Sequence, residues 1–182
     1  MIICISGTPG TGKSHLARLL AKRTGFRYFD LNNFIKGEKL YDSYDKKDKT
    51  YDVDTKKLSK LLNMLLKKYR YEKNDKEQSS INKTFKKSAS KRVDLLKFLS
   101  KISIKKKKKN NINNIIIDSH LSHYMESDYC IIVKSDLKVL AERLRKRGYN
   151  ETKIKDNLES EIFDICLEEA KALNRRVIIV NN

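Results

Sequence analysis

The stretch that most constrains the fold of this chain is GTPGTGKS, residues 7–14, which directly follows the short apolar run MIICIS. It satisfies the pattern G-x-x-x-x-G-K-[S/T], with Gly7, Gly12, Lys13 and Ser14 at the fixed positions. A helical repeat of leucines comes next, so the pattern lies between a predicted strand and a predicted helix. Glycine-rich backbone in that context points its N–H groups at phosphate oxygens, near the positive end of the helix. The stretch therefore predicts a phosphate-binding loop in an α/β fold.

The residue types that close the loop indicate what it binds. The Lys13 ammonium is suited to bridge the outer phosphates of a nucleoside triphosphate, and the Ser14 hydroxyl is suited to hold Mg²⁺. His15 follows on the same helix, and we expect it to line the phosphate site. These features predict ATP and Mg²⁺ as the cofactors but say nothing about the reaction.

A second group of candidate residues follows the apolar run NIII. Asp118 ends that predicted strand, 114–118, and an acid at this edge of a parallel sheet can hold Mg²⁺ through water. His120 lies two residues later, on the same side if the strand continues, where it would position a water or a phosphoryl oxygen. A helix-capping or surface role for His120 stays open, and His123 is a further candidate nearby.

A third group lies in ERLRKRGY. Arg143 and Arg147 are four residues apart on a predicted helix, 136–147, and so share one face near its end. From there they can neutralise charge that develops on a transferred phosphoryl group. For Arg143 a solvated surface position is equally open, whereas Arg147, next to Gly148, is the better candidate.

The order of predicted elements defines the fold class. Strands and helices alternate along the chain, which indicates a parallel sheet covered by helices on both faces. The predicted strands are 1–6, 26–31, 114–118, 129–134 and 176–180, and the predicted helices include 13–24, 136–147 and 151–174. Between the second and third strands, the polar segment 32–54 is expected to be a flexible or small helical excursion.

Basic charge is concentrated in one segment. Residues 67–110 carry 17 Lys or Arg against four Asp or Glu, a net charge of +13, which leaves about +5 of the total +18 for the rest. Residues 70–112 are rich in Lys and Asn, a composition typical of a disordered insertion. Within them, 92–102 has apolar residues at helical spacing and competes with 55–69 as the helix before the strand at 114–118.

The remaining composition excludes several protein classes. Cys4, Cys130 and Cys166 are scattered without metal-type spacing, so we expect all three to be small core residues. No apolar run approaches the roughly 20 residues that span a bilayer, and the amino terminus lacks a signal-type stretch. We expect an intracellular protein with no membrane partner.

Four motifs in the order GTPGTGKS, LYDSYD, DSH and RLRKRGYNETKIKDNLESEI resemble the atypical adenylate kinase family, also called adenylate kinase isoenzyme 6 or coilin-interacting nuclear ATPase. The resemblance covers residues 1–69 and about 112–180. It implies a single P-loop NTPase domain over 1–182, with the three-layer fold of nucleoside monophosphate kinases and a five-stranded parallel sheet. Within that domain it implies a monophosphate-binding region at 30–53 and a short lid at 146–156.

The same resemblance implies roles for individual residues. It implies that the ATP loop includes Gly10, Thr11, Gly12, Lys13, Ser14 and His15, and that Arg147 is the lid arginine that touches ATP. It also implies ATP as donor, AMP as preferred acceptor and some ATPase activity. The resemblance further implies a role in maturation of the small ribosomal subunit, in the nucleus and cytoplasm, with a ribosomal protein as partner and pre-ribosomal RNA as a possible one.

These observations leave three functions to weigh. The first is a kinase, acting as a monomer, in which Lys13, His120 and Arg147 serve the transfer of a phosphoryl group from ATP to AMP. The acceptor region contains no arginine, so acceptor selectivity is expected to be loose. The second is an ATPase switch that binds a ribosomal protein or pre-ribosomal RNA. The third, a shikimate-type kinase with an acidic acceptor, is disfavoured by the same absence of arginine.

Overall fold

The computed structural model describes residues 1–46, 48, 50–71 and 114–182. Its main sheet contains five parallel strands, and two further strands form a separate antiparallel hairpin. In chain order the strands are β1 Ile2–Ser6, β2 Arg27–Asp30, β3 Ser43–Asp45, β4 Thr50–Asp52, β5 Ile115–Asp118, β6 Tyr129–Lys134 and β7 Val177–Asn181. The sheet order is β2-β5-β1-β6-β7, so β1 lies at the centre and its carboxyl end points into the middle of one sheet edge.

Helices cover both faces of this sheet, which confirms the predicted three-layer arrangement. The helices are α1 Lys13–Thr24, α2 Leu31–Gly37, α3 Thr55–Tyr71, α4 Leu137–Lys146, α5 Glu151–Ile162 and α6 Ile165–Ala172, and a 3₁₀ turn spans Ser122–Tyr124. On one face, Ala17 and Ala21 of α1 pack against Ile5 and Ile116. On the other face, α2, α3 and α6 form a larger core. Successive strand residues point to opposite faces, which is why apolar runs such as IIID serve both layers.

Helix α3 is the element that precedes β5 among the described residues. Leu58, Leu62 and Leu66 are buried, as the helical spacing of leucines predicts. The competing segment, 92–102, lies outside the described residues, as does most of the expected insertion at 70–112. In the described ranges no helix combines the length and the apolar character needed to cross a bilayer.

The prediction of one long helix over 151–174 is wrong. The chain turns between α5 and α6, where Asp164 adopts a left-handed conformation with φ 53° and forms an ion pair with Lys134. Aspartate tolerates this backbone region better than most residues. The turn lets Leu167 and Ala170 of α6 reach the sheet core, whereas a straight helix would carry them away from it.

The segment 32–54 is more ordered than its composition suggests. Its first part belongs to α2, in line with a small helical excursion, but its second part forms the β3–β4 hairpin. Three tyrosines support the hairpin: the ring of Tyr51 lies 4.6 Å from that of Tyr41 and 4.7 Å from that of Tyr44, between ring centres. Tyrosine favours a half-exposed strand surface. The many polar residues of the segment outweighed this preference in the sequence-based prediction.

Candidate active site

The phosphate-binding loop connects β1 to α1 in the way the sequence predicts. Gly7, Gly10 and Gly12 all have positive φ angles, of 139°, 104° and 92°. At Gly7 a Cβ atom would lie 2.3 Å from the backbone oxygen of Val133, so only glycine fits there. Thr11 donates from both its N–H and its hydroxyl to the carbonyl of Thr8, which closes the turn.

A buried carboxylate from a distant part of the chain holds this loop in place. Glu161 of α5 accepts a hydrogen bond from the Thr8 hydroxyl at 2.5 Å and another from the backbone N–H of Ser135 at 3.0 Å. It is only 6% exposed. Glu161 is not among the predicted site residues, because nothing in the spacing of the acids in ESEIFD, residues 159–164, distinguishes the one that points inward.

Lys13 and Asp118 lie close together below the loop. Lys13 is 8% exposed, and its Nζ donates weakly to the Thr8 carbonyl at 3.4 Å. Burial lowers the pKa of Lys13, and the nearby Asp118 carboxylate opposes that shift. Among described residues, Lys13 therefore makes one long hydrogen bond, which suits a cation that binds a ligand oxygen.

Asp118 ends β5 and is 2% exposed. Its Oδ2 accepts a hydrogen bond from the Tyr28 hydroxyl at 2.7 Å, whereas its Oδ1 has no hydrogen-bond partner among the described residues. Burial raises the pKa of Tyr28, and the bond to Asp118 raises it further, so the phenol stays protonated and keeps donating. A buried carboxylate oxygen without a partner is costly unless a ligand or water satisfies it.

These oxygen donors fit Mg²⁺. Mg²⁺ is held in proteins by one or two carboxylates or hydroxyls together with substrate phosphates and several waters. Asp118 offers an open Oδ1, and Ser14 lines the cavity described below. No cluster of three or more His, Cys, Asp or Glu residues suitable for a metal occurs among residues 1–46, 48, 50–71 and 114–182. An open carboxylate oxygen and a nearby serine are donors of the kind that Mg²⁺ uses.

His120 lies beyond the end of β5, so the condition that would have placed it on the same side of the strand as Asp118 is not met. β5 ends at Asp118, and the chain then turns through Ser119, whose hydroxyl accepts from the Leu121 N–H. His120 nevertheless lines the cavity. Burial lowers the pKa of His120 to about 4, with a contribution from the Lys13 charge. At neutral pH this side chain is uncharged, so it can orient a water or a phosphoryl oxygen without adding positive charge.

His123 is part of a different arrangement from the one expected. It is 1% exposed, its Nδ1 lies 2.8 Å from the Ser6 hydroxyl, and its Nε2 donates to Glu169 at 2.9 Å. Burial lowers the pKa of His123, against the opposing effect of Glu169. The contacts tie α6 to the end of β1, so His123 supports the start of the loop.

The two candidate arginines, Arg143 within α4 and Arg147 at its carboxyl end, occupy different positions. Arg143 donates to the Gly10 carbonyl at 3.3 Å and to the Ser135 hydroxyl at 3.4 Å, so it braces the loop and is not on a solvated face. Arg147 caps the end of α4, is exposed and lines the cavity. Its charge is near enough to Lys13 to contribute to the lowered pKa of that lysine.

These elements surround a cavity of about 960 Å³, near the upper end of the range for small-molecule sites. Its walls are the phosphate-binding loop, the turn after β5, the start of α5 and the β3–β4 hairpin. The predicted site residues that line it are Gly10, Gly12, Lys13, Ser14, His15, His120, His123 and Arg147, whereas Thr11 and Asp118 are buried.

The cysteine prediction is only partly right. Cys4 and Cys130 are 0% exposed in the core, on neighbouring strands. Cys166, by contrast, is half-buried and lines the cavity, because the turn between α5 and α6 brings the start of α6 beside the loop. Burial raises the pKa of the Cys166 thiol to about 11, so it remains protonated near neutral pH.

Comparison with known proteins agrees with this geometry. Residues 3–164 match the protein family described as AAA domain. A curated relative from Methanosarcina mazei, named "Putative adenylate kinase", is 33% identical over 181 residues, which is 100% of this chain and 78% of the relative. A relative of the same name from Methanocaldococcus jannaschii is 30% identical over 171 residues, covering 94% of this chain and 72% of the relative.

One solved structure supports the fold. The unliganded crystal structure of a sugar kinase from Janibacter sp. HTCC2649 superposes with a TM-score of 0.50 at 13% identity, covering 99% of this chain and 84% of that one. Sheet order, loop and helical layers together define a P-loop NTPase with a fold like that of nucleoside monophosphate kinases. Within that class, the similarity to the archaeal relatives shows that the chain belongs to the atypical adenylate kinase family, a group of P-loop nucleotide kinases.

Proposed function

We propose that this protein is a Mg²⁺-dependent adenylate kinase that transfers the γ-phosphoryl group of ATP to AMP, and that it also hydrolyses ATP. The observation that carries the proposal is a single cavity with the phosphate-binding loop on one wall and the tyrosine-supported hairpin on another. A donor nucleotide at the loop and an acceptor at the hairpin would share that space. Adenylate kinase is also the activity in the names of the archaeal relatives.

In this proposal, alignment and charge stabilisation drive the reaction. The loop N–H groups and Lys13 hold the outer phosphates of ATP, while Arg147 offsets the negative charge that develops during transfer. Ser14 and Asp118 would hold Mg²⁺, which would supply further stabilisation of that charge when bound. His120 orients an oxygen in its neutral form. No strong base is needed, because the acceptor phosphate is itself the nucleophile.

Measurement of ADP formation from ATP tests this function, with AMP, CMP, UMP or no acceptor added. We expect AMP to accelerate ADP formation well above the rate without acceptor. We expect CMP and UMP to be accepted to some extent, because no arginine lies within 30–53 to select the acceptor. Equal inertness toward all three monophosphates would refute the kinase, and hydrolysis alone would favour the second candidate.

The second candidate is an ATPase switch that acts in small-subunit maturation in the nucleus and cytoplasm, as a monomer bound to a ribosomal protein or pre-ribosomal RNA. Its specific support is the charge of residues 67–110, net +13, which favours RNA electrostatically. Replacement of the five lysines at 105–109 by asparagine tests it. RNA affinity that falls in the variant and weakens with salt, with unchanged kinase turnover, would assign the segment to RNA.

A further inference from the structure

One cation of the cavity wall bridges the two sides on which donor and acceptor would bind. Lys153, in the first turn of α5, donates from Nζ to the Thr50 hydroxyl at 2.6 Å and to the backbone carbonyl of Asp48. Asn150, the N-cap of the same helix, donates from Nδ2 to the Asp48 carboxylate at 3.0 Å. The region expected to be the lid thus contacts the β3–β4 hairpin directly.

The ammonium of Lys153 is held there by neutral groups. Its hydrogen-bond acceptors are a hydroxyl and a carbonyl, and it lies 4.6 Å from the centre of the Tyr149 ring. Within the described part of the chain, no carboxylate oxygen forms an ion pair with it, in contrast to Lys171, which pairs with Glu168 at 2.8 Å. Its positive charge is therefore not matched by an ion pair within that part of the chain, and the side chain lines the cavity.

A monophosphate bound at the hairpin wall of the cavity would require a nearby positive charge. Asp45, Asp48 and Asp52 all line the hairpin wall, and a monophosphate bound beside them would be repelled. The region 30–53 contains no arginine to offset that repulsion. Lys36 lines the same wall from α2, with its ammonium 5.2 Å from the centre of the Tyr51 ring, whereas Lys153 reaches the hairpin from α5.

We propose that Lys153 binds the phosphate of the acceptor monophosphate and that its bonds to the hairpin oxygens hold it in place until the acceptor arrives. This inference rests on the proposed kinase function. Phosphate oxygens would replace the Thr50 hydroxyl and the Asp48 carbonyl as hydrogen-bond acceptors, with a stronger, charge-assisted bond. Lys153 is then an acceptor-specific residue, distinct from Lys13 and Arg147, which serve the donor.

The variants Lys153→Met and Lys153→Arg test this role, with Lys171→Met as the matched control on the outer surface of α6. Methionine keeps the length and the helix propensity of lysine but removes the charge. Calorimetric titration with AMP should show affinity about 10- to 100-fold weaker for Lys153→Met, the effect of one hydrogen bond to a charged group. ATP affinity should change less than about 2-fold, and Lys153→Arg should recover most of the AMP affinity.

The outcomes separate this inference from the function on which it rests. Unchanged AMP affinity in Lys153→Met overturns the inference even if the protein is an active kinase. Equal weakening of AMP and ATP also overturns it, because that pattern indicates general loosening of the site. If the unaltered protein binds AMP but makes no ADP, the kinase function fails, and a selective loss of AMP binding in Lys153→Met still supports the role of Lys153.

Discussion

Replacement of Glu161 by alanine tests how the phosphate-binding loop is held in place. The Glu161 carboxylate is 6% exposed and accepts from the Thr8 hydroxyl and the Ser135 N–H. Alanine would leave two buried donors without a partner, at about 1–3 kcal/mol each. We therefore expect the free energy of unfolding to fall by about 2–5 kcal/mol, a large part of the 5–15 kcal/mol typical of a domain.

Urea unfolding of Glu161→Ala, Thr8→Val and the double variant measures this effect and assigns it. The double-mutant cycle should give a coupling free energy of about 1–2 kcal/mol between Thr8 and Glu161, since each single change removes the same bond. Glu159→Ala is the matched control on the same helix: its side chain is 50% exposed, and its ion pair with Lys155 is long, at 3.7 Å. That change should cost less than about 0.5 kcal/mol. A Glu161→Ala variant as stable as the Glu159→Ala control would refute the account of the brace.

Three further predictions concern the loop and the groups around it. Gly7→Ala should lower the free energy of unfolding by about 1–3 kcal/mol or more, because the added Cβ meets the Val133 carbonyl oxygen. Gly37→Ala is the control, since open space surrounds Gly37, and it should leave the free energy of unfolding nearly unchanged when both are measured by urea unfolding. Burial depresses the pKa of His120 to about 4 in the folded protein, so as the pH falls the unfolded chain takes up this proton first and the free energy of unfolding decreases between about pH 6.5 and 4. The variant His120→Gln should reduce that decrease by about 1–2 kcal/mol at pH 5. A pH dependence of unfolding equal to that of the unaltered protein would contradict the burial of His120. Asp118→Asn should raise the Mg²⁺ concentration needed for half-maximal turnover by about 10- to 100-fold, and an unshifted Mg²⁺ titration would contradict the metal role.

The parts of the fold that the sequence predicts are those with a strong local signal. The strand before Gly7, helix α1 with its stop at Gly25 and the buried strand that ends at Asp118 each combine periodicity with a boundary residue. The turn at Asp164 escaped prediction because no glycine or proline interrupts residues 151–174 to mark a break. Only the need of α6 to pack on the sheet decides that the chain bends there.

Some residues of the candidate site could likewise be predicted from a local signal, and others could not. Lys13, Ser14 and Arg147 could be predicted because a motif or a glycine marks their positions, and the structure places all three on the cavity wall. Glu161 and Lys153 could not, since their roles depend on partners more than 100 residues away along the chain, Thr8 and the β3–β4 hairpin. A long-range contact of this kind leaves no spacing pattern in one sequence.

The central claim is that Lys13 holds the outer phosphates of ATP in the loop that follows β1. Calorimetric titration of Lys13→Met with ATP and Mg²⁺ tests it most directly, because the side chain is nearly buried and its one hydrogen bond to a residue that the structure describes is the long bond to the Thr8 carbonyl. We predict an ATP affinity weaker by about 10- to 100-fold, as expected for the loss of a charge-assisted hydrogen bond. An ATP affinity equal to that of the unaltered protein would contradict the claim.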